Sequence, residues 1–105
     1  MSETGYCYVW QFEVRSEFLD EFLKAYSPGG AWTQLFKKAD GYMSTELVRD
    51  LDNPNRFLTI DRWTGKTLYL AFRKKFAKEH QKLDSACERF TISETYLGEF
   101  TSVVS

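Results

Sequence analysis

The segment Asp52-Asn53-Pro54-Asn55 constrains this chain more than any other. Asp, Asn and Pro each favour turn geometry for their own steric and hydrogen-bonding reasons, and four in a row end any regular element. On either side the chain alternates. Tyr42 to Leu51 is rich in Thr, Leu and Val, and Phe57 to Trp63 repeats the pattern with β-branched and aromatic residues. Two strands joined by so short a link must lie side by side and antiparallel. A register of equal parity sets Val48 beside Ile60, brings Glu46 near Arg62 and brings Arg49 near Asp61. An odd slip would send each partner to the opposite face of the sheet.

The rest of the chain arranges itself around that hairpin. Tyr6, Tyr8, Trp10, Phe12 and Val14 alternate with Cys7, Val9, Gln11 and Glu13, which predicts a strand with one bulky face. Ser16 can cap a helix in which Phe18, Phe22 and Tyr26 recur at helical spacing. Ser27-Pro28-Gly29-Gly30 breaks it, and a second helical piece carries Trp32, Leu35, Phe36 and Ala39 up to Gly41. Thr64 can cap a long helix from Lys66 to about Phe90, with Leu68, Phe72, Phe76, His80, Leu83, Cys87 and Phe90 along one stripe. Thr91 to Thr101 predicts a last strand. The order is β-α-β-β-α-β: an α+β, ferredoxin-like fold, with a four-stranded antiparallel sheet and both helical segments on one face. At 105 residues the chain is expected to be one domain spanning 1–105.

With helices on only one side, the other sheet face should be polar if it meets water. It is not: Val48, Leu58 and Ile60 accompany Glu46 and Arg62 there, while Leu47, Phe57 and Trp63 belong to the opposite side. Two half-apolar faces predict two burials, the second against another copy of the chain, a homodimer. Fourteen basic and 15 acidic residues leave a net charge of −1, which attracts neither nucleic acid nor an anionic membrane in bulk. Arg73, Lys74, Lys75, Lys78 and Lys82 are expected to form a solvated helix face. Leu58 to Trp63 lacks the basic, glycine-flanked aromatic pattern of an RNA-recognition sheet. No apolar run reaches the ~20 residues of a membrane span. The polar start, Met1 to Gly5, predicts no export signal. Cys7 and Cys87, placed in expected core positions, suit reduced thiols and a cytoplasmic location. One histidine and two isolated cysteines make no zinc site, and Pro28-Gly29-Gly30 is no phosphate loop.

Several segments together carry a resemblance: Gly30-Ala31-Trp32 with Leu35-Phe36, Gly41-Tyr42 with Thr45-Glu46-Leu47-Val48-Arg49-Asp50, then Leu58-Thr59-Ile60-Asp61-Arg62-Trp63 and Tyr69. From about Tyr6 to Phe100 the chain resembles the antibiotic biosynthesis monooxygenase family of the dimeric α/β-barrel superfamily. The resemblance implies two protomers packed sheet to sheet, each with a pocket between sheet and helices. It implies, for some members, oxidation of phenolic polyketides such as anthrones by O2 without a cofactor. Other members bind and degrade haem, and others have no settled activity. Trp63 matches a functional Trp at the end of the third strand, and Tyr69 a functional Tyr six residues later. Thr59 stands where the anthrone-oxidising members place an Asn, and a hydroxyl serves an oxyanion more weakly than an amide does. His80 matches the place of the haem ligand. The Asn that haem degradation needs on the first strand is absent, and its Trp is Leu70 here.

Each of these residues has a plain structural role beside the chemical one. Trp63 packs under the helix, or stacks on a flat substrate and donates its N–H. Tyr69 edges the core, or donates to a phenolate or peroxide oxygen. His80 is a satisfied core histidine, or a base near neutral pH. Asp61 and Arg49 form a structural ion pair, or Arg49 holds Asp61 ionised as a proton acceptor. The expected function is a cofactor-independent monooxygenase acting on a small aromatic or phenolic molecule. Trp63, Tyr69, Asp61 and His80 are its candidate catalytic residues. Thr59, Arg49, Phe72 and Phe76 are candidates for binding substrate in the same cavity. A non-enzymatic homodimer that binds a small ligand or haem is the alternative.

Overall fold

The computed structural model describes residues 2–104. Strand β1 (Ser2–Val14) is followed by a short turn of 3-10 helix, then α1 (Leu19–Tyr26) and α2 (Ala31–Phe36). The hairpin strands are β2 (Tyr42–Arg49) and β3 (Arg56–Trp63). Helices α3 (Lys66–Lys75) and α4 (Ala77–Cys87) lead into β4 (Thr91–Val104). The sheet order is β2-β3-β1-β4, antiparallel throughout. This is the ferredoxin-like arrangement that the element order implied, with all four helices over one face.

The bulky face of β1 meets the helices. Tyr6, Tyr8, Phe12 and Val14 are buried there with Phe57 and Trp63 of β3. Aromatic rings dominate the core: Trp63 and Phe22 have no exposed surface, and Phe72 lies 5.2 Å from the Trp63 ring. Gly41 holds β2 against the start of α3. Its φ is +89°, and a Cβ there would sit 2.5 Å from Leu68 Cδ1, so only glycine fits this approach. The Thr64 N–H donates to the Gly41 carbonyl at 2.7 Å across the same junction.

The hairpin keeps equal parity, but of the three expected pairs only one is made, and Val48 stands opposite Leu58 rather than Ile60. Arg62 Nη2 lies 3.3 Å from Glu46 Oε1. Arg49, however, stands opposite Phe57, and Thr45 is the residue opposite Asp61. Pairing Arg49 with Asp61 would require a turn centred two residues later. The turn is set by Asp50, whose carboxylate accepts from the backbone N–H groups of Asp52 and Asn53 and from Arg56. Arg49 is exposed. Its Nε donates to the Pro54 carbonyl at 2.6 Å, and its guanidinium sits 5.1 Å over the Phe57 ring.

Other expectations also change. The long helix is two, because Phe76 leaves α geometry (φ −109°, ψ 29°) between α3 and α4. Neither Ser16 nor Thr64 caps a helix: Ser16 Oγ accepts from Asn55 Nδ2 at 2.8 Å, and Gly65 occupies the cap position of α3. Cys87 is buried, whereas Cys7 is half-buried on the outer sheet face, and both thiols are free. On that outer face Val9, Leu58 and Ile60 are half-buried, and Val48 and Phe100 are exposed. Among the described residues no helix is long and apolar enough to cross a membrane.

Candidate active site

Alternation on β1 determines the floor of a cavity of about 660 Å³ between sheet and helices. Tyr6, Tyr8, Trp10 and Phe12 point into it, because every second residue of a strand shares a face. Thr59 and Asp61 of β3 and Thr45 of β2 continue that face. Tyr69 and Arg73 of α3 and His80 of α4 close it from above, while Trp32 and Phe36 of α2 wall one end. About half of the lining residues are aromatic, and most of the others, Asp84 and Glu94 among them, are polar or charged, so the site offers both stacking surfaces and hydrogen-bonding groups.

A β-bulge completes the cavity on the β4 side. Val9 pairs with Gly98 but Trp10 pairs with Tyr96, leaving Leu97 unmatched. The extra residue reverses the alternation. Tyr96 and Glu99, three apart, thus both face the helices. Tyr96 packs 5.0 Å from the Trp10 ring. Glu99 accepts from Tyr6 Oη at 2.7 Å and pairs with Lys66 Nζ at 2.6 Å, tying β4 to the start of α3 at the rim. The Lys66 ammonium is the main reason Glu99 is held below the usual carboxylate range.

Three polar groups meet near Trp63, and each is held by a neighbouring donor. The Asp61 carboxylate accepts from Thr45 Oγ1 at 2.5 Å. Because that bond uses the Thr45 proton, the Tyr42 hydroxyl, 2.7 Å from Thr45 Oγ1, is the donor in the next link. The Tyr8 hydroxyl accepts from Trp63 Nε1 at 3.3 Å. The Tyr69 hydroxyl accepts from Arg73 Nη1 at 3.1 Å. The Tyr8 and Tyr69 rings lie 4.7 Å apart.

Burial sets the protonation states here. Removal from water pushes the Asp61 carboxyl up to about 6, and the Thr45 bond only partly offsets it. A carboxylate so poised is ionised at neutral pH yet basic enough to take a proton. Burial, then the charge of Asp61, pushes the Tyr8 phenol well above the ordinary value, which keeps it a protonated donor. Burial and the nearby Arg73 charge lower His80, keeping its imidazole neutral at pH 7. That ring stands edge-on to Trp32 at 5.0 Å.

The structure thus brings Asp61, Tyr69, His80 and Thr59 to one cavity and leaves other candidates outside it. Trp63 is wholly buried beneath Tyr8 and Tyr69, and it meets the cavity's lining through its hydrogen bond to Tyr8 and its ring contacts with Tyr69 and Phe36. Phe72 and Phe76 pack in and against the core rather than on the cavity wall. Arg49 lies at the far end of the hairpin, outside the cavity. Sequence reasoning missed Tyr8, Thr45, Arg73 and the Tyr96–Glu99 side. The alternation of Tyr6, Tyr8 and Trp10 was the available sign for the floor, and Gly98 for the bulge.

Comparison with known proteins agrees with this architecture. A sequence profile described as antibiotic biosynthesis monooxygenase matches residues 6–82. Among solved structures, SnoaB of Streptomyces nogalater, a cofactor-independent oxygenase, is 22% identical, with 97% of this chain and 96% of that one aligned and a TM-score of 0.69. A Nitrosomonas europaea protein classed with the antibiotic biosynthesis monooxygenases is 10% identical, at 98% and 94% coverage and a TM-score of 0.74. A dimeric ferredoxin-like protein from an uncultured marine organism is 16% identical, at 98% and 91% coverage and a TM-score of 0.67. At such identities the structural likeness speaks for the fold alone. The curated proteins contain no significant match to the chain.

Proposed function

The chain belongs to the antibiotic biosynthesis monooxygenase family, and from that premise we propose that it is a cofactor-independent monooxygenase oxidising a small aromatic or phenolic, polyketide-like substrate with O2. The observation that carries this reading is the aromatic-walled cavity with the buried Asp61 carboxyl, poised at about 6, on its wall. Flat rings fill such a space by stacking. Asp61 is the proton acceptor for a phenol or an activated methylene. The resulting anion is electron-rich enough to pass one electron to O2. The substrate radical and superoxide then combine, forming the C–O bond of a peroxide. The peroxide anion takes back the proton held at Asp61, and loss of water, with the hydrogen still on that carbon, leaves a carbonyl, so one oxygen atom ends in product and the other in water. The protein's share is to bind the ring, hold the proton at Asp61, offer O–H donors to the developing oxyanion and keep out bulk water. SnoaB, of the same fold, is a cofactor-independent oxygenase, which supports the assignment.

The proposal includes a homodimer joined through the outer sheet faces. Its support is the apolar set Val9, Val48, Leu58, Ile60 and Phe100 on a face that no helix covers, together with the dimeric description of one fold relative.

His80 favours a second reading. Its neutral imidazole lines the same cavity, in the form that ligates iron. Two measurements decide between them. Oxygen uptake with a panel of phenols, 1,8-dihydroxyanthrone among them, supports the enzyme. Absence of uptake, with a Soret band on haemin titration that His80→Ala removes, selects a haem-binding dimer instead.

A further inference from the structure

The family's functional tryptophan has a different position here from the one its sequence match suggests. Trp63 has no exposed surface, and its one polar atom is spent on the Tyr8 hydroxyl. It therefore meets no ligand directly. Tyr8 stands between it and the cavity, with the Tyr69 ring 4.7 Å away.

The two phenols are built alike. A phenol offers one proton and accepts at its oxygen. In each, an N–H already donates to the phenol oxygen: buried Trp63 Nε1 for Tyr8, and Arg73 Nη1, itself on the cavity wall, for Tyr69. What remains is each phenol's own proton, to be shared between the two oxygens or turned toward a guest. Such donation also polarises an O–H and makes it a better donor. An oxygen carrying negative charge, placed between them, would take both protons as hydrogen bonds.

We infer that Tyr8 is a second ligand-contacting hydroxyl, forming with Tyr69 a two-donor seat for a phenolate oxygen, and that Trp63 is a positioning residue whose hydrogen bond acts through Tyr8. The inference rests on the reading of the cavity as a phenol site. It gives that site the oxyanion contact that Thr59, in place of an amide, supplies poorly. It also divides the labour: Asp61 takes the proton, and Tyr8 and Tyr69 hold the charge left behind.

The test uses the full chain and alizarin, a flat three-ring phenol already at the quinone level, whose colour reports its ionisation. Absorbance of the bound dye is followed against pH. Tyr8→Phe should weaken the bound dye's acid ionisation constant on the order of tenfold, the effect of one charge-assisted hydrogen bond. Trp63→Phe should move it the same way by less. The double variant should go no further than Tyr8→Phe alone, since coupled residues are non-additive. Replacing Tyr8 by 3,5-difluorotyrosine keeps the shape and sharpens the donor, so it should shift the constant in the opposite direction even if Tyr8→Phe fails to fold. Dye that binds with an ionisation constant insensitive to both changes at Tyr8 overturns this inference and leaves the phenol site standing. Additive shifts from Tyr8 and Trp63 overturn the positioning role. A wild-type chain that binds no dye overturns the phenol site and the inference together.

Discussion

The Thr45 hydroxyl reaches across the β2–β3 pair and donates to Asp61 Oδ1 at 2.5 Å. This contact replaces the Arg49 ion pair that the charges alone suggested, and it changes the chemistry of the carboxylate. A guanidinium would have held Asp61 strongly acidic. A hydroxyl only moderates the effect of burial, leaving the group near 6, within reach of a proton at neutral pH.

Turnover should therefore rise as pH passes upward through about 6, where Asp61 ionises. Thr45→Val removes the stabilising donor and should move this limb to higher pH. His80→Gln should leave it in place. A pH profile of kcat/KM on an oxidised phenol checks all three, and a limb that follows His80 instead would transfer the role of base.

Asp61 should also lower stability at high pH. Its folded pKa lies above the unfolded value, so the ionised form is disfavoured by folding. The cost is absent below about 4, grows as pH rises and is complete above about 6. Asp61→Asn should thus abolish turnover yet stabilise the fold at pH 8 by up to roughly 3 kcal/mol, at ~1.4 kcal/mol per pKa unit. The gain should vanish near pH 4. Urea denaturation of both proteins at the two pH values gives the comparison.

Trp63 and Tyr69 should separate packing from chemistry. Trp63→Ala empties a wholly buried site among Phe36, Phe72 and Tyr69 and should cost about 3–5 kcal/mol in denaturation. Tyr69→Phe removes one oxygen from a half-buried residue and should change stability by less than about 1 kcal/mol. It should nonetheless reduce kcat by on the order of tenfold or more.

The outer sheet face should hold two copies together. Light scattering at micromolar concentration is expected to give twice the chain mass. Ile60→Lys, placing a charge in the centre of that face, should give the monomer, since an obligate interface of roughly 2,000 Å² tolerates no unpaired charge at its core. A wild-type monomer at that concentration would remove the homodimer.

Local pattern alone determined the architecture. The Asp52–Asn55 turn, the alternation of Tyr6 to Val14 and the helical spacing of Phe18, Phe22 and Tyr26 each depend on neighbours within a few residues, and the element order they belong to implies this topology through the rules for chain connections. Parity assigned Thr59, Asp61 and Trp63 to the helix face for the same reason. What pattern could not decide was which residues meet at a given depth. That Arg49 stands opposite Phe57 depends on how Asp50 closes the turn. That Trp63 lies below the cavity, with Tyr8 above it, depends on the packing of α3 over β1 and β3. That Tyr96 and Glu99 share a face depends on one unpaired residue in β4. Alternation and helical spacing are properties of one element, so sequence carries them. Register, depth and bulges arise where elements meet, and only the tertiary structure decided them.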